Sequence, residues 1–153
     1  MGDHSEAIQI DFDESVLSYS DLVLEALSQG SFGRRHWSRQ YRSAVFFHTE
    51  AQRRTAQQLG VRECEPLAEF TRAEDYHQKY YLRRKREVGE FEAMFPDERA
   101  FTDSTAVMRA NAIAGGCLRG EAVNDLLPLL GVTERTAQGL LKMAGPQGAC
   151  PWR

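Results

Sequence analysis

The sequence predicts an α/β fold: a small mixed sheet with packed helices over residues 1–88, followed by a helical extension over residues 89–153. Three observations lead to this reading. Short alternating or doubly apolar runs before residue 70 have the two-residue period of strands. Helical spacing is interleaved between them, as in a layered α/β body. Beyond Gly89 the strand pattern stops, and helical segments follow one another between glycines.

Residues 7–12 alternate, with Ile8, Ile10 and Phe12 on one face and Ala7, Gln9 and Asp11 on the other, which predicts a half-buried strand. Asp13-Glu14-Ser15 turns the chain. Ser18 then caps a helix over residues 19–27, with Leu22, Val23, Ala26 and Leu27 on one stripe and Gly30 as its stop. A glycine- and arginine-rich loop follows to Ser38. Residues 42–48 are apolar on both faces, through Ala44 and Phe46 on one and Val45 and Phe47 on the other, as in an interior strand. Thr49 and Gln52 form a capping box for a helix that runs to about Leu59 and ends at Gly60. Residues 63–70 read as a short strand weakened by Pro66, hence an edge. Residues 74–85 read as a helix with an aromatic stripe of Tyr76, Tyr80 and Tyr81, ending in the basic run Arg83-Arg84-Lys85-Arg86. The extension offers three helical segments, 103–114, 120–130 and 133–143, separated by Gly115-Gly116 and Gly131.

Composition narrows the function classes. The formal net charge of −3 argues against a chain that coats nucleic acid or an acidic membrane. The apolar run at residues 44–47 is far too short to span a bilayer. Met1-Gly2-Asp3-His4 has no signal-peptide pattern, so no secreted or membrane destination is expected. Cys64, Cys117 and Cys150 are an odd number at wide spacing. That pattern suits reduced thiols in a cytoplasmic or organellar compartment better than a disulfide framework.

The candidate chemical groups are few. Glu6, beside the first strand and preceded by His4, could serve as a buried acid that hydrogen-bonds a substrate oxygen. The commoner state of a carboxylate near a terminus is a solvated one. Tyr41, at the start of an apolar strand, can present its hydroxyl to a substrate while its ring packs, or can satisfy that hydroxyl on backbone. His36 and Trp37 stand on the loop before it. His77 has no histidine or cysteine partner at metal-ligand spacing, so a structural hydrogen bond is the expected role. Glu63 and Glu65 flank Cys64 and disfavour its thiolate. Cys117, after two glycines and near Arg119, is the least unsuited of the three cysteines to act as a nucleophile. A competing pattern lies around Gly131, where two short helices resemble the turn and second helix of a helix-turn-helix reader. Residues 118–153 carry Arg119, Arg135, Lys142 and Arg153 against Glu121, Asp125 and Glu134, which gives no phosphate-binding footprint. Antiparallel helix packing is the expected arrangement there, and no nucleic acid or membrane partner is expected.

Order and spacing make these signals specific. The run comprises His4-Ser5-Glu6, Ser18-Tyr19, Gln40-Tyr41-Arg42-Ser43-Ala44-Val45-Phe46, Glu50-Ala51-Gln52 and Ala73-Glu74-Asp75-Tyr76-His77-Gln78-Lys79-Tyr80. Over residues 2–82 it resembles the later part of an A-type peptide methionine sulfoxide reductase. The resemblance implies thiol-dependent reduction of methionine S-sulfoxide in peptides and proteins, a repair of oxidative damage. In that reaction a cysteine thiolate attacks the sulfoxide sulfur while acid and tyrosine groups bind and protonate the oxygen. The resulting sulfenic acid is resolved through a disulfide. No cofactor is implied; the reductant is thioredoxin or another thiol. Glu6 matches the family's acid and Tyr41 one of its oxygen-binding tyrosines.

The departures carry expectations of their own. The family's nucleophile lies in a Gly-Cys-Phe-Trp segment, and the 153 residues contain none. His36 stands where the family usually has an aspartate, five residues before Tyr41. The chain is therefore expected to start inside the family domain and to be inactive, or very weakly active, alone. The alternatives are a non-catalytic interaction module that keeps a methionine- or sulfoxide-binding remnant and, behind it, a helix-turn-helix nucleic-acid binder. A sheet short of one neighbour would expose strand 42–48, with self-association or marginal stability as the expected consequence.

Overall fold

The computed structural model describes residues 4–28, 38–118 and 120–144. The chain divides into two compact units, Met1–Phe70 and Thr71–Arg153. The first carries the strands and the second is helical, so the α/β body followed by helices is present. This division is one of packing. We keep the 88/89 boundary only as a proposal for where the α/β body gives way to the helical extension.

In the first unit, α1 (Tyr19–Ser28) begins where Ser18 Oγ accepts from Asp21 N at 3.1 Å and Ser18 N and Oγ donate to the Asp21 carboxylate. Ser18 is the cap that the sequence predicts, and Asp21 makes it reciprocal. β1 (Val45–Phe47) pairs in parallel with β2 (Cys64–Pro66), in the register Val45–Cys64, Phe46–Glu65 and Phe47–Pro66. Between them lies α2 (Glu50–Gln58), opened by Thr49, whose side chain accepts from Gln52 N at 3.2 Å. Gln52 returns a bond by accepting from His48 N at 2.8 Å. Gly60 follows the helix at φ +96, a left-handed turn that a side chain would strain.

Two strand expectations change here. Residues 7–12 run extended but are not a strand, because no residue among those described pairs with them. Alternation supplies a face, but a strand exists only through a ladder. Residues 42–48 were expected in the interior of the sheet. Only residues 45–47 form β1, with a single described neighbour, and all three are half-buried. The core of this unit is correspondingly thin: Val23, Ala56 and Val61 are its buried apolar residues, with Tyr19, Leu27, Val45, Leu59 and Cys64 packed around them.

The second unit packs better. A 3-10 turn (Asp75–His77) leads to α3 (Tyr80–Arg83), then α4 (Val88–Met94), α5 (Glu98–Asp103), α6 (Thr105–Ala114), α7 (Glu121–Leu126) with a 3-10 turn (Leu127–Leu130), and α8 (Glu134–Met143). The single helix expected over residues 74–85 is broken at Lys79, which takes a left-handed φ of +52. The break is held from outside, since Asn111 Oδ1 on α6 accepts from Tyr81 N at 3.0 Å and Leu82 N at 3.1 Å. A tertiary cap of this kind replaces the turn of helix that local propensity favours. The helix expected over residues 103–114 is α6, which starts two residues later than expected. Ser104 ends α5 and caps α6, its Oγ accepting from Val107 N at 3.3 Å. Leu82, Phe91, Phe101, Val107, Ala110, Ile113, Val123, Leu130 and Leu140 form one buried core. The apolar residues of the extension thus serve chiefly to pack its helices on one another.

Candidate functional site

Two of the three sequence-derived site residues lie in one neighbourhood. The 3-10 turn Arg39–Tyr41 is capped by Ser38, whose side chain accepts from Gln40 N at 3.2 Å. Against this turn docks the segment that carries Glu6. Glu6 N donates to Gln40 O at 2.8 Å, and Gln40 Nε2 donates to Glu6 Oε1 at 2.8 Å. Residues 34 apart in sequence are joined here through backbone and side chain together.

Arg42 is the clamp behind this contact. Its Nε donates to Ser5 Oγ at 2.9 Å, and Ser5 Oγ donates in turn to Arg39 O at 3.1 Å. The other end of the guanidinium grips both oxygens of Glu65, Nη2 to Oε2 at 2.8 Å and Nη1 to Oε1. A forked guanidinium suits this double grip because its donors match the two carboxylate oxygens. The guanidinium also lies 5.2 Å from the centre of the Phe46 ring. Ser5 and Arg42 stand in motifs singled out in the sequence. Glu65 gave no such signal, and only the parallel register, with Glu65 beside Phe46, brings it to Arg42.

The hydrogen bonds from Arg42 hold the Glu65 carboxyl below its ordinary range. A lowered folded pKa stabilises above the unfolded carboxylate pKa, and the contribution is lost as pH falls through the folded value. The clamp should therefore loosen under acid. We expect Arg42→Met to reproduce that loosening at neutral pH, with exchange of the Glu6 amide accelerated on the order of tenfold. Hydrogen exchange read by NMR checks this, and an unchanged Glu6 rate would show that Arg42 does not hold the segment.

Glu6 is exposed rather than buried, and Tyr41 retains 56% exposure. Both residues are therefore open to solvent, one on the docked segment and the other on the turn that it meets. His77 is also exposed, its ring 4.2 Å from that of Tyr76. His36, Trp37, Arg119 and Cys150 lie outside the described residues. Among the described residues, no group of three or more histidine, cysteine or carboxylate side chains could hold a metal ion. None of their helices is long and apolar enough to cross a membrane.

The cysteines are differentiated. Cys64 is free and half-buried, and burial pushes its thiol up, against a smaller opposing effect of Arg53. Its neighbour Tyr19 has a buried hydroxyl with no hydrogen-bond partner, and burial raises that group too. Cys117 is disulfide-bonded, which corrects the expectation of reduced thiols throughout. It follows the end of α6, where Gly116 N donates to Ile113 O and Cys117 N to Ala112 O, with Gly116 left-handed at φ +70. The glycines read as a helix stop thus also fix the cysteine's backbone. Cys117 belongs to the helical unit, whereas Glu6 and Tyr41 belong to the first.

The family model for peptide methionine sulfoxide reductase matches residues 1–107. The chain belongs to the peptide methionine sulfoxide reductase family. Its similarity to named reductases agrees. It is 43% identical over 98 residues to peptide methionine sulfoxide reductase MsrA of Methanococcoides burtonii, covering 51% of this chain and 63% of that one. It is 30% identical over 121 residues to MsrA of Saccharolobus solfataricus, covering 62% and 68%. It is 32% identical over 101 residues to the Drosophila melanogaster peptide methionine sulfoxide reductase, covering 58% and 41%. The chain thus spans between 41% and 68% of the length of these reductases. The family match covers the Glu6–Gln40 contact, the Arg42 clamp and both strands, and it reaches the first turn of α6.

Proposed function

We propose that Glu6 and Tyr41 are the sulfoxide-oxygen-binding part of a peptide methionine S-sulfoxide reductase site. In this reading the chain alone does not turn over its substrate. The observation that supports it is the docking of Ser5-Glu6 onto the turn Arg39–Tyr41, which sets the segment of one assigned residue against the turn that ends in the other. Glu6 supplies a carboxyl and Tyr41 a phenol, the two group types suited to hydrogen-bond an S=O oxygen and give it a proton as the S–O bond breaks. The oxygen passes to the attacking thiol as a sulfenic acid. A second thiol then displaces it as water to form a disulfide, which thioredoxin or another dithiol reduces. Neither described cysteine serves as the attacking thiol in this reading. Cys64 is a half-buried thiol with a raised pKa, and Cys117 is held in a disulfide. A non-catalytic module that holds oxidised methionine in a peptide is the second reading, and the exposure of both polar groups favours it over a closed active site.

The test is turnover of a methionine S-sulfoxide peptide with excess dithiothreitol, which also reduces Cys117. We expect no steady-state product, since loss of the nucleophile in covalent catalysis costs many orders of magnitude. A rate that disappears in Cys117→Ser would overturn the reading and make Cys117 the nucleophile. Binding is followed separately by titrating the same peptide, with Glu6→Gln and Tyr41→Phe expected to weaken it. Binding unchanged in both variants would remove the two residues from the proposal.

A further inference from the structure

The chain has three cysteines, Cys64, Cys117 and Cys150. Cys64 is a free thiol, and Cys117 is disulfide-bonded. A disulfide takes two sulfurs, so within this chain the count leaves Cys150 as the partner of Cys117. We infer that a Cys117–Cys150 disulfide ties the segment after α8 to the end of α6 and closes a covalent loop that contains α7 and α8. Cys150 lies outside the described residues, and its assignment rests on this elimination.

The described residues at both ends of the loop are compatible with such a bond. Leu118, next to Cys117, and Ala144, the residue after α8, pack against the same buried core. α6 also packs directly on α8. Axes of packed helices lie about 8–10 Å apart. The chain from Ala144 to Cys150 can span up to about 20 Å when extended, so a return to the end of α6 is within its reach. That end is already shaped. Gly116 N donates to Ile113 O at 2.9 Å, Cys117 N donates to Ala112 O at 3.0 Å, and Gly116 takes φ +70. The helix terminus thus fixes the backbone at Cys117 while the residue stays exposed, open to an exchanging thiol or disulfide. Cys64 is half-buried and belongs to the other unit.

The bond makes the stability of the helical unit depend on thiol–disulfide poise. With glutathione disulfide as oxidant, one protein thiolate displaces a glutathione thiolate to give a mixed disulfide, and the second protein thiolate displaces the other. Two protein thiols become one disulfide, and one glutathione disulfide becomes two thiols. Closing a loop of this length removes freedom mainly from the unfolded chain. Both cysteines lie beyond residues 1–107, where the family model matches, and the inference holds whether or not the chain reduces a sulfoxide.

Mass mapping of the full chain tests it. Protein equilibrated with glutathione disulfide is denatured, alkylated with iodoacetamide and digested without reductant. We expect one alkylated cysteine, Cys64, and one linked peptide pair that joins Cys117 to Cys150 within a single chain. Alkylation of all three cysteines, a link that includes Cys64, glutathione left on Cys117 or Cys150, or a disulfide-linked dimer overturns the inference. Thermal unfolding gives a second readout. Dithiothreitol, Cys117→Ser, Cys150→Ser and the double variant should each lower the midpoint of the helical unit by the same amount, about 10–20 °C, because each opens the same loop. Losses that add in the double variant would show two side chains acting separately and overturn the shared bond. An unchanged midpoint in all four would overturn its restraint of the helical unit.

Discussion

Phe91→Ala is expected to lower the stability of the helical unit by about 3–5 kcal/mol. Phe91 is fully buried in α4, inside the cluster that joins Leu82, Phe101, Val107, Ile113, Val123, Leu130 and Leu140. Removing its ring leaves a cavity inside that cluster, whose packed side chains can close on it only in part. In a domain near this size a loss of that order shifts the unfolding midpoint by roughly 4–8 °C per kcal/mol. Denaturant titration checks it: the midpoint should fall while the slope with denaturant stays constant. A loss below about 1 kcal/mol would mean that the ring is not packed as described. Val23→Ala in the first unit offers a contrast, because a smaller side chain leaves a sparser cluster of three buried residues.

Arg83→Ala should cost about 2–3 kcal/mol, by a different mechanism. The Arg83 side chain is only 20% exposed and serves three partners at once. Its Nε donates to Gln78 O at 2.9 Å, its Nη2 meets Glu98 Oε1, and its guanidinium lies 4.4 Å from the centre of the buried Phe101 ring. Gln78 precedes the left-handed Lys79, so Arg83 also fastens the break ahead of α3. Alanine would uncover the Phe101 face and leave a carbonyl unpaired where water has poor access. Glu98 is 42% exposed and can rehydrate, which keeps the loss below that of a fully buried pair. Arg83→Lys retains the charge without the fork and should lose about half as much. Thermal unfolding of both variants decides the matter; equal stability of alanine and wild type would show that the three contacts contribute nothing net.

The family and the candidate site were legible because they are carried by local strings. Ser18 with Asp21, Thr49 with Gln52, Gly60 and Gly131 fix helix starts and stops over spans of three or four residues, where local chemistry decides the outcome. Apolar spacing, the capping box and the glycine stops gave α1, α2, α6 and α8 to within a few residues of their limits. Glu6 and Tyr41 were named from motifs; the Glu6–Gln40 contact sets the segment of one against the turn that ends in the other.

The sequence alone determined the family, the succession of strand-bearing body and helices, and the caps at Ser18 and Thr49. Tertiary structure decided what depends on a distant partner. Residues 7–12 have the composition of a strand but none of its hydrogen bonds, since a ladder needs a second chain segment. The helix foreseen over residues 74–85 yields to a break because Asn111, about thirty residues away, supplies the cap that a continuous helix would not need. Thr133 lacks a cap of its own at the start of α8, and Glu90 accepts from its N at 2.6 Å and its Oγ1 at 2.8 Å. Glu65 becomes part of the site only through the register of β2 on β1. Local periodicity records which face a residue offers; the identity of what meets that face is set by contacts between residues that the sequence keeps far apart.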